Sequence, residues 1–119
     1  MEIRSLHRAE PFTTKDGSTI RSLLDLGTAP VRNQSLAEAT LGPEGATDRH
    51  YHRESEEIYY VVDGEGEMEV DGQRTGVAAG DAILIPPGAW HGIRASPAGP
   101  LRFLCCCAPP YRHEDTYFE

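Results

Sequence analysis

Glycine and proline interrupt this chain too often for long helices to form. The 119 residues carry 12 glycines and 9 prolines, and the apolar runs between them are short and show no sustained 3.6-residue period. Short β-branched and aromatic runs bounded by turn residues read as strands. The sequence predicts strands over Thr19–Leu24, Gln34–Thr40, Thr47–His52, Glu57–Val62, Glu67–Val70, Gln73–Val77, Ala82–Ile85, Trp90–Ala95 and Leu101–Cys107. Asp16-Gly17 and Asp71-Gly72 are hairpin-turn dipeptides. Pro86-Pro87-Gly88 cannot lie in a central strand and is expected to turn the chain. Gly64-Glu65-Gly66 is expected to be a hairpin turn, since no helix follows it to make a nucleotide loop. Pro109-Pro110 closes the last strand. The polar and aromatic tail, residues 111–119, is expected to pack on the outside or to be partly mobile. Some nine short strands without an internal repeat imply an all-β sandwich or barrel. The length fits a single domain over residues 1–119.

Charge narrows the partners. The formal net charge is −8, Lys15 is the one lysine, and the arginines are scattered. Nucleic-acid binders cluster cations against phosphates, so no nucleic-acid partner is expected. The chain contains no apolar run near the ~20 residues a membrane helix needs. Its first residues are charged and lack a signal-peptide core, so no membrane association and a cytoplasmic location are expected. The sequon Asn33-Gln34-Ser35 is then without consequence. Cys105-Cys106-Cys107 lie side by side on a strand, point alternately to opposite faces, and cannot staple one another. They read as small hydrophobes, with the alternative that one thiol enters the interior and touches a ligand.

His50-Tyr51-His52 falls in an expected strand, where residues i and i+2 share a face. Glu57 follows across a short turn, and His91 follows Pro86-Pro87-Gly88. Imidazole suits Zn, Cu, Fe and Ni, and a carboxylate extends the range to Mn. Without an ion, these groups would have to satisfy one another as a polar network.

These residues sit in two spaced motifs. The first runs Gly45-(four residues)-His50-Tyr51-His52-(four residues)-Glu57-(six residues)-Gly64. The second runs Gly80-(five residues)-Pro86-Pro87-Gly88-Ala89-Trp90-His91. Together they resemble the cupin family over roughly residues 34–107, leaving an N-terminal strand and a C-terminal tail to flank that core. Two positions depart from the family pattern. Four residues rather than five separate Gly45 from His50, and Ala95 stands where the family has Asn. The resemblance implies a jelly-roll barrel, the double-stranded β-helix. It also implies one divalent metal ion held by His50, His52, Glu57 and His91, with Glu57 preferred to Glu56 by its spacing to Gly64. Similar small cupins include dioxygenases, sugar isomerases and epimerases, lyases and polyketide cyclases, and many form homodimers, often by exchanging N-terminal strands.

A metalloenzyme acting on a small polar molecule is therefore the first expectation. A non-catalytic module that anchors a ligand on its metal is the second, and a metal that only stabilises the barrel is the third. If Glu57 points inward, strand parity turns Tyr59 inward too, as a candidate catalytic acid or base or as an aromatic filling the interior. Tyr60 then points outward and is a candidate for packing on another subunit. Asp48 is a candidate acceptor for a histidine N–H, or a solvated loop carboxylate. Arg21 and Arg102 are candidates for binding an acidic substrate group, or ordinary surface residues. His7 and His113 lie outside the motifs and read as surface residues.

Overall fold

Two-residue alternation of burial sets the architecture of the computed structural model, which describes residues 1–14 and 16–119. The strands are β1 (Phe12–Thr13), β2 (Thr19–Leu24), β3 (Ser35–Leu41), β4 (His50–His52), β5 (Glu56–Asp63) and β6 (Glu65–Val70). They continue with β7 (Gln73–Ala78), β8 (Ala82–Ile85), β9 (His91–Ala95), β10 (Leu101–Ala108) and β11 (Thr116–Phe118). A six-stranded sheet in the order β1-β2-β3-β10-β5-β8 faces a five-stranded sheet in the order β11-β4-β9-β6-β7. Every strand pairing is antiparallel. The result is the expected jelly-roll barrel. Among the described residues no helix is long and apolar enough to cross a membrane.

The inner faces of both sheets make one core. In β5, Glu57, Tyr59 and Val61 are buried while Glu56, Ile58 and Tyr60 are exposed. Register then places Val61 opposite Phe103, Tyr59 opposite Cys105 and Glu57 opposite Cys107 of β10. Leu101, Phe103, Ile85, Met68 and Ile93 fill the space between the sheets. The Asp71-Gly72 turn joining β6 to β7 has positive φ at both residues, 47° and 84°, as a two-residue hairpin requires.

Four expectations about local structure change. Gly64 is not a hairpin turn: it carries the chain from β5 in one sheet to β6 in the other. A Cβ there would stand 2.2 Å from the Pro100 carbonyl oxygen, so only glycine fits. The strand expected from Thr47 begins at His50. Thr47 donates its N–H to the Ile93 carbonyl, but the Ile93 N–H returns to the Thr47 hydroxyl rather than to a main-chain carbonyl, which interrupts the ladder. The two-residue β1 was not expected, because a run of that length carries no period.

The tail packs on the outside, as one of its two expected alternatives had it, but as a strand rather than as loose chain. Residues 116–118 form β11, paired with β4 as Thr116↔His52, Tyr117↔Tyr51 and Phe118↔His50. On the outer face, Tyr117 stacks on Tyr51 at 5.0 Å, Tyr51 meets Trp90 edge-on at 4.7 Å, and the guanidinium groups of Arg53 and Arg49 cap the two ends. Aromatic stacking and cation–π contact give this polar segment enough cohesion to order it.

Candidate metal centre

β4 is short, and its parity turns His50 and His52 into the barrel while Tyr51 joins the outer aromatic stack. His91 opens β9 directly opposite His50. The preceding turn is fixed by the Gly88 N–H donating to the His52 carbonyl at 2.7 Å and the Ala89 N–H donating to Pro86 at 3.1 Å. That clamp brings the second motif against the first. Glu57 enters from β5, buried, whereas Glu56 faces solvent. All three imidazoles are buried, His91 completely. Ring centroids lie 4.3 Å apart for His50 and His91, 5.1 Å for His50 and His52, and 5.4 Å for His52 and His91.

Main-chain carbonyls fix the tautomers. His50 Nδ1 lies 2.7 Å from the Asp48 carbonyl, His91 Nδ1 lies 2.9 Å from the Ala89 carbonyl, and His52 Nδ1 lies 3.3 Å from the Asp115 carbonyl. A carbonyl oxygen only accepts, so Nδ1 carries the proton on each ring. Each Nε2 then presents a lone pair. Glu57 Oε1 stands 3.2 Å from His52 Nε2 and 3.4 Å from His91 Nε2. In the neutral state these are lone pairs facing lone pairs. Glu57 Oε1 and His91 Nε2 are buried without a hydrogen-bond partner among the described residues, which costs roughly 1–3 kcal/mol for each group. A cation at the point they share removes that cost, and imidazole nitrogen with carboxylate oxygen is a donor set for a divalent transition metal. His50, His52 and His91 form a buried group that could hold such an ion.

The electrostatics agree with the geometry. Burial pushes the Glu57 carboxyl up, but in the metal-free state the attraction of His52 and His91, which can donate from Nε2 only when protonated, outweighs it and holds the group well below the usual carboxylate range. Burial lowers His52, yet Glu57 outweighs burial and raises it. Burial and the neighbouring His91 lower His50, against the pull of the Asp48 carbonyl. Glu57 and the histidines therefore form one charge-sharing unit.

The other sequence candidates fall into place around this unit. Tyr59 is buried, 4.7 Å from Phe103 and 6.0 Å from His91 between ring centroids. Burial, reinforced by Glu57, pushes its hydroxyl well above its ordinary value, so it stays protonated and is suited to donate rather than to act as a base. Asp48 offers its carbonyl, not its carboxylate, to His50. Arg21 and Arg102 pair with the buried Glu38, at 3.8 and 3.0 Å, on the outer face of the six-stranded sheet. His7 and His113 are exposed. Cys105 and Cys107 both face inward, and the Cys107 thiol donates to Glu57 Oε2 at 3.1 Å.

A cavity of about 110 Å³ opens beside His50, His52 and Glu57. Tyr59, Phe103, Cys105 and Cys107 form part of its wall. Two contributors escape sequence reasoning. Asp115 is buried in the tail, and its carboxylate accepts the N–H groups of Arg53, Glu54 and Ser55 at 3.1–3.2 Å. Asp16 lies in the cavity wall beyond an unremarkable Asp-Gly turn. The tail carried a usable signal, since Tyr111, Tyr117 and Phe118 are strand-favouring residues in an otherwise polar stretch. Nothing about Asp16 distinguishes it from any other turn aspartate.

A two-sheet antiparallel jelly roll with a buried imidazole triad that could hold a metal is a cupin-type barrel. The chain belongs to the cupin domain family, whose sequence profile matches residues 37–107. It is 46% identical over 109 residues to the uncharacterised protein MJ1618 of Methanocaldococcus jannaschii, covering 92% of this chain and 87% of that protein. It is 32% identical over 80 residues to the polyketide synthase CurC of Streptomyces cyaneus, covering 67% of this chain and 52%, about half, of that relative. Among solved structures, the polyketide cyclase RemF from Streptomyces resistomycificus superposes with a TM-score of 0.79 at 26% identity, covering 97% of this chain and 89% of that one. KdgF from Halomonas sp. shares the fold with a TM-score of 0.81 at 18% identity, over 96% and 97% of the two chains.

Proposed function

We propose that this chain, one domain over residues 1–119, is a metal-dependent cupin enzyme. It takes a small molecule into the cavity beside a divalent ion held by His50, His52, Glu57 and His91. The observation that carries this is the pair of partnerless buried atoms, Glu57 Oε1 and His91 Nε2, facing one shared point. An ion held there would polarise a substrate oxygen and acidify a bound water. The protein's own part is to aim four donors through fixed tautomers, to hold Glu57 by the Cys107 thiol, and to keep Tyr59 as a neutral proton donor in the wall. Fe, Mn, Ni, Zn and Cu all suit three imidazoles and a carboxylate. The likeness to RemF supports a cyclase-type reaction, alongside the dioxygenase, isomerase and lyase alternatives.

Elemental analysis of protein purified without chelator tests the metal: one divalent ion per chain is expected, lost in Glu57→Gln and His91→Ala. A folded, metal-free chain that takes up no Fe, Mn, Ni, Zn or Cu on reconstitution sinks the proposal.

The second reading is a module that anchors a small molecule without turning it over. It draws support from Tyr59, whose raised pKa makes it a poor base. A ligand recovered unchanged after long incubation with metal-loaded protein favours it. A homodimer is also proposed, on the exposed apolar side chains Ile58, Tyr60 and Leu84 on the outer face of β5 and β8. The N-terminal strand β2 pairs with β3 of its own chain, so the proposed contact is between faces; a monomeric mass in solution rejects it. The three free thiols suit a cytoplasmic location.

A further inference from the structure

The cavity next to the metal group is not the polar chamber that a small polar metabolite calls for. Its body is apolar: Ile20, Ala39, Phe103 and the ring of Tyr59 line it, and Phe12, half exposed, stands at its edge. Asp16 and Asp25 also line it, but no arginine or lysine does among the described residues. The two carboxylates differ. Both oxygens of Asp25 are taken, Oδ1 by the Gly27 and Thr28 N–H groups and Oδ2 by the Ser22 hydroxyl. Asp16 is pinned through one oxygen alone. Its Oδ1 accepts from the Thr14 hydroxyl, from the Ser18 N–H at 2.9 Å and from the Ser18 hydroxyl at 2.6 Å. Oδ2 has no hydrogen-bond donor among the described residues. Asp16 is thus a rigid acceptor with a spare oxygen in the wall of an apolar cavity.

We infer that Asp16 selects the ligand: the cavity takes a hydroxyl-bearing ring, with a hydroxyl donating to Asp16 Oδ2, and at that end, away from the metal position, it disfavours an anionic group. This deepens the proposed function and rests on it for the role of the metal, though not for the seating of the ring. An apolar cavity of ~150 Å³ holds a benzene ring. At about 110 Å³ this one is somewhat smaller, but it is open, so one edge of a ring can project toward Phe12. A carboxylate or phosphate placed at the Asp16 end of the ligand would meet like charge, and like charges in a low-dielectric space repel strongly. A hydroxyl donating to a carboxylate makes one of the stronger neutral-to-ion hydrogen bonds.

Resorcinol separates this inference from the metal site, because its two hydroxyls are too far apart to chelate one ion. Metal-free protein, stripped with chelator and verified by elemental analysis, is titrated calorimetrically with resorcinol, with 1,3-dimethoxybenzene, which keeps the ring but lacks a donor, and with 3,5-dihydroxybenzoate, which adds a negative charge. Resorcinol is expected to bind about tenfold more tightly than either. Asp16→Asn retains an oxygen for Thr14 and Ser18 but replaces the spare oxygen with an amide donor. It is expected to weaken resorcinol about tenfold and to bring the dimethyl ether level with it. Phe12→Ser, at the exposed edge, is expected to weaken all three ring ligands together. Equal or tighter binding of the benzoate, no binding of resorcinol, or an unchanged preference in a folded Asp16→Asn protein overturns the inference. If Asp16→Asn does not fold, the three-ligand comparison on the unaltered protein decides. Repeating the titration of the two uncharged ligands on zinc-loaded protein keeps the two ideas apart: the preference for resorcinol over its dimethyl ether persists with metal, whereas failure of the metal proposal appears in the elemental analysis.

Discussion

Cys107 shows how one side chain can orient the carboxylate proposed as a metal ligand. Its thiol donates to Glu57 Oε2 and leaves Oε1 turned toward His52 and His91. Burial, reinforced by Glu57, pushes that thiol far above its ordinary value, so it remains a donor near neutral pH. Cys107→Ala removes the donor, and metal affinity is expected to fall about tenfold, the lower end for groups that orient a ligand. Cys107→Ser keeps a donor and is expected to stay near the unaltered protein. Competition with a chromogenic chelator measures both, and equal affinities for alanine and serine variants exclude the role. At this scale the sequence was informative about type and parity. His50, His52, Glu57, Tyr59 and His91 all face inward as their spacing requires, because period two leaves little freedom once one residue of a strand is placed. It was uninformative about partners such as Cys107 and Asp16, whose contacts depend on register and loop path.

Among the elements, β11 carries more than its three residues would imply. Asp115, just ahead of it, gathers three N–H groups of the β4–β5 turn with its carboxylate while its carbonyl receives His52 Nδ1. Asp115→Ala leaves those N–H groups unpaired in a partly buried place and is expected to cost about 2–3 kcal/mol. Asp115→Asn, which keeps an acceptor, is expected to cost less. Urea unfolding of the metal-free variants measures this, and a change below about 0.5 kcal/mol in Asp115→Ala contradicts the assigned role. Strands with strong punctuation were legible: Thr19–Leu24 and Ala82–Ile85 match their expected bounds. The tail was not, since a short edge strand is held by stacking across Tyr51 and Tyr117 rather than by its own alternation.

For the molecule as a whole, acid affects the metal-free and metal-loaded forms differently. Without metal, Glu57 lies below its usual value near 4.5 and His52 above its usual value near 6.5. The Glu57 contribution to stability is present above about 4.5 and is lost as pH falls through its lowered pKa. The His52 contribution is present below about 6.5 and is lost as pH rises through its raised pKa. His50 is lowered, so its contribution grows with pH and partly offsets the loss from His52. With metal bound, protons compete for every imidazole. The rise in Tm on adding a fixed free concentration of metal is therefore expected to be larger near pH 8 than near pH 6. Scanning fluorimetry at both values checks this, and a pH-independent rise counts against imidazole ligation. The jelly-roll class was legible from punctuation and two motifs, whereas the apolar character of the cavity was not, because its wall is drawn from many strands at once.

Each imidazole of the triad donates its Nδ1 proton to a peptide carbonyl, of Asp48, Ala89 or Asp115. A peptide oxygen is not encoded by any codon, so no point substitution deletes it. Mutation can redecorate the chamber wall residue by residue, and so change what enters, while the three nitrogens keep their aim. A scaffold built this way can drift between chemistries without having to reinvent its anchor.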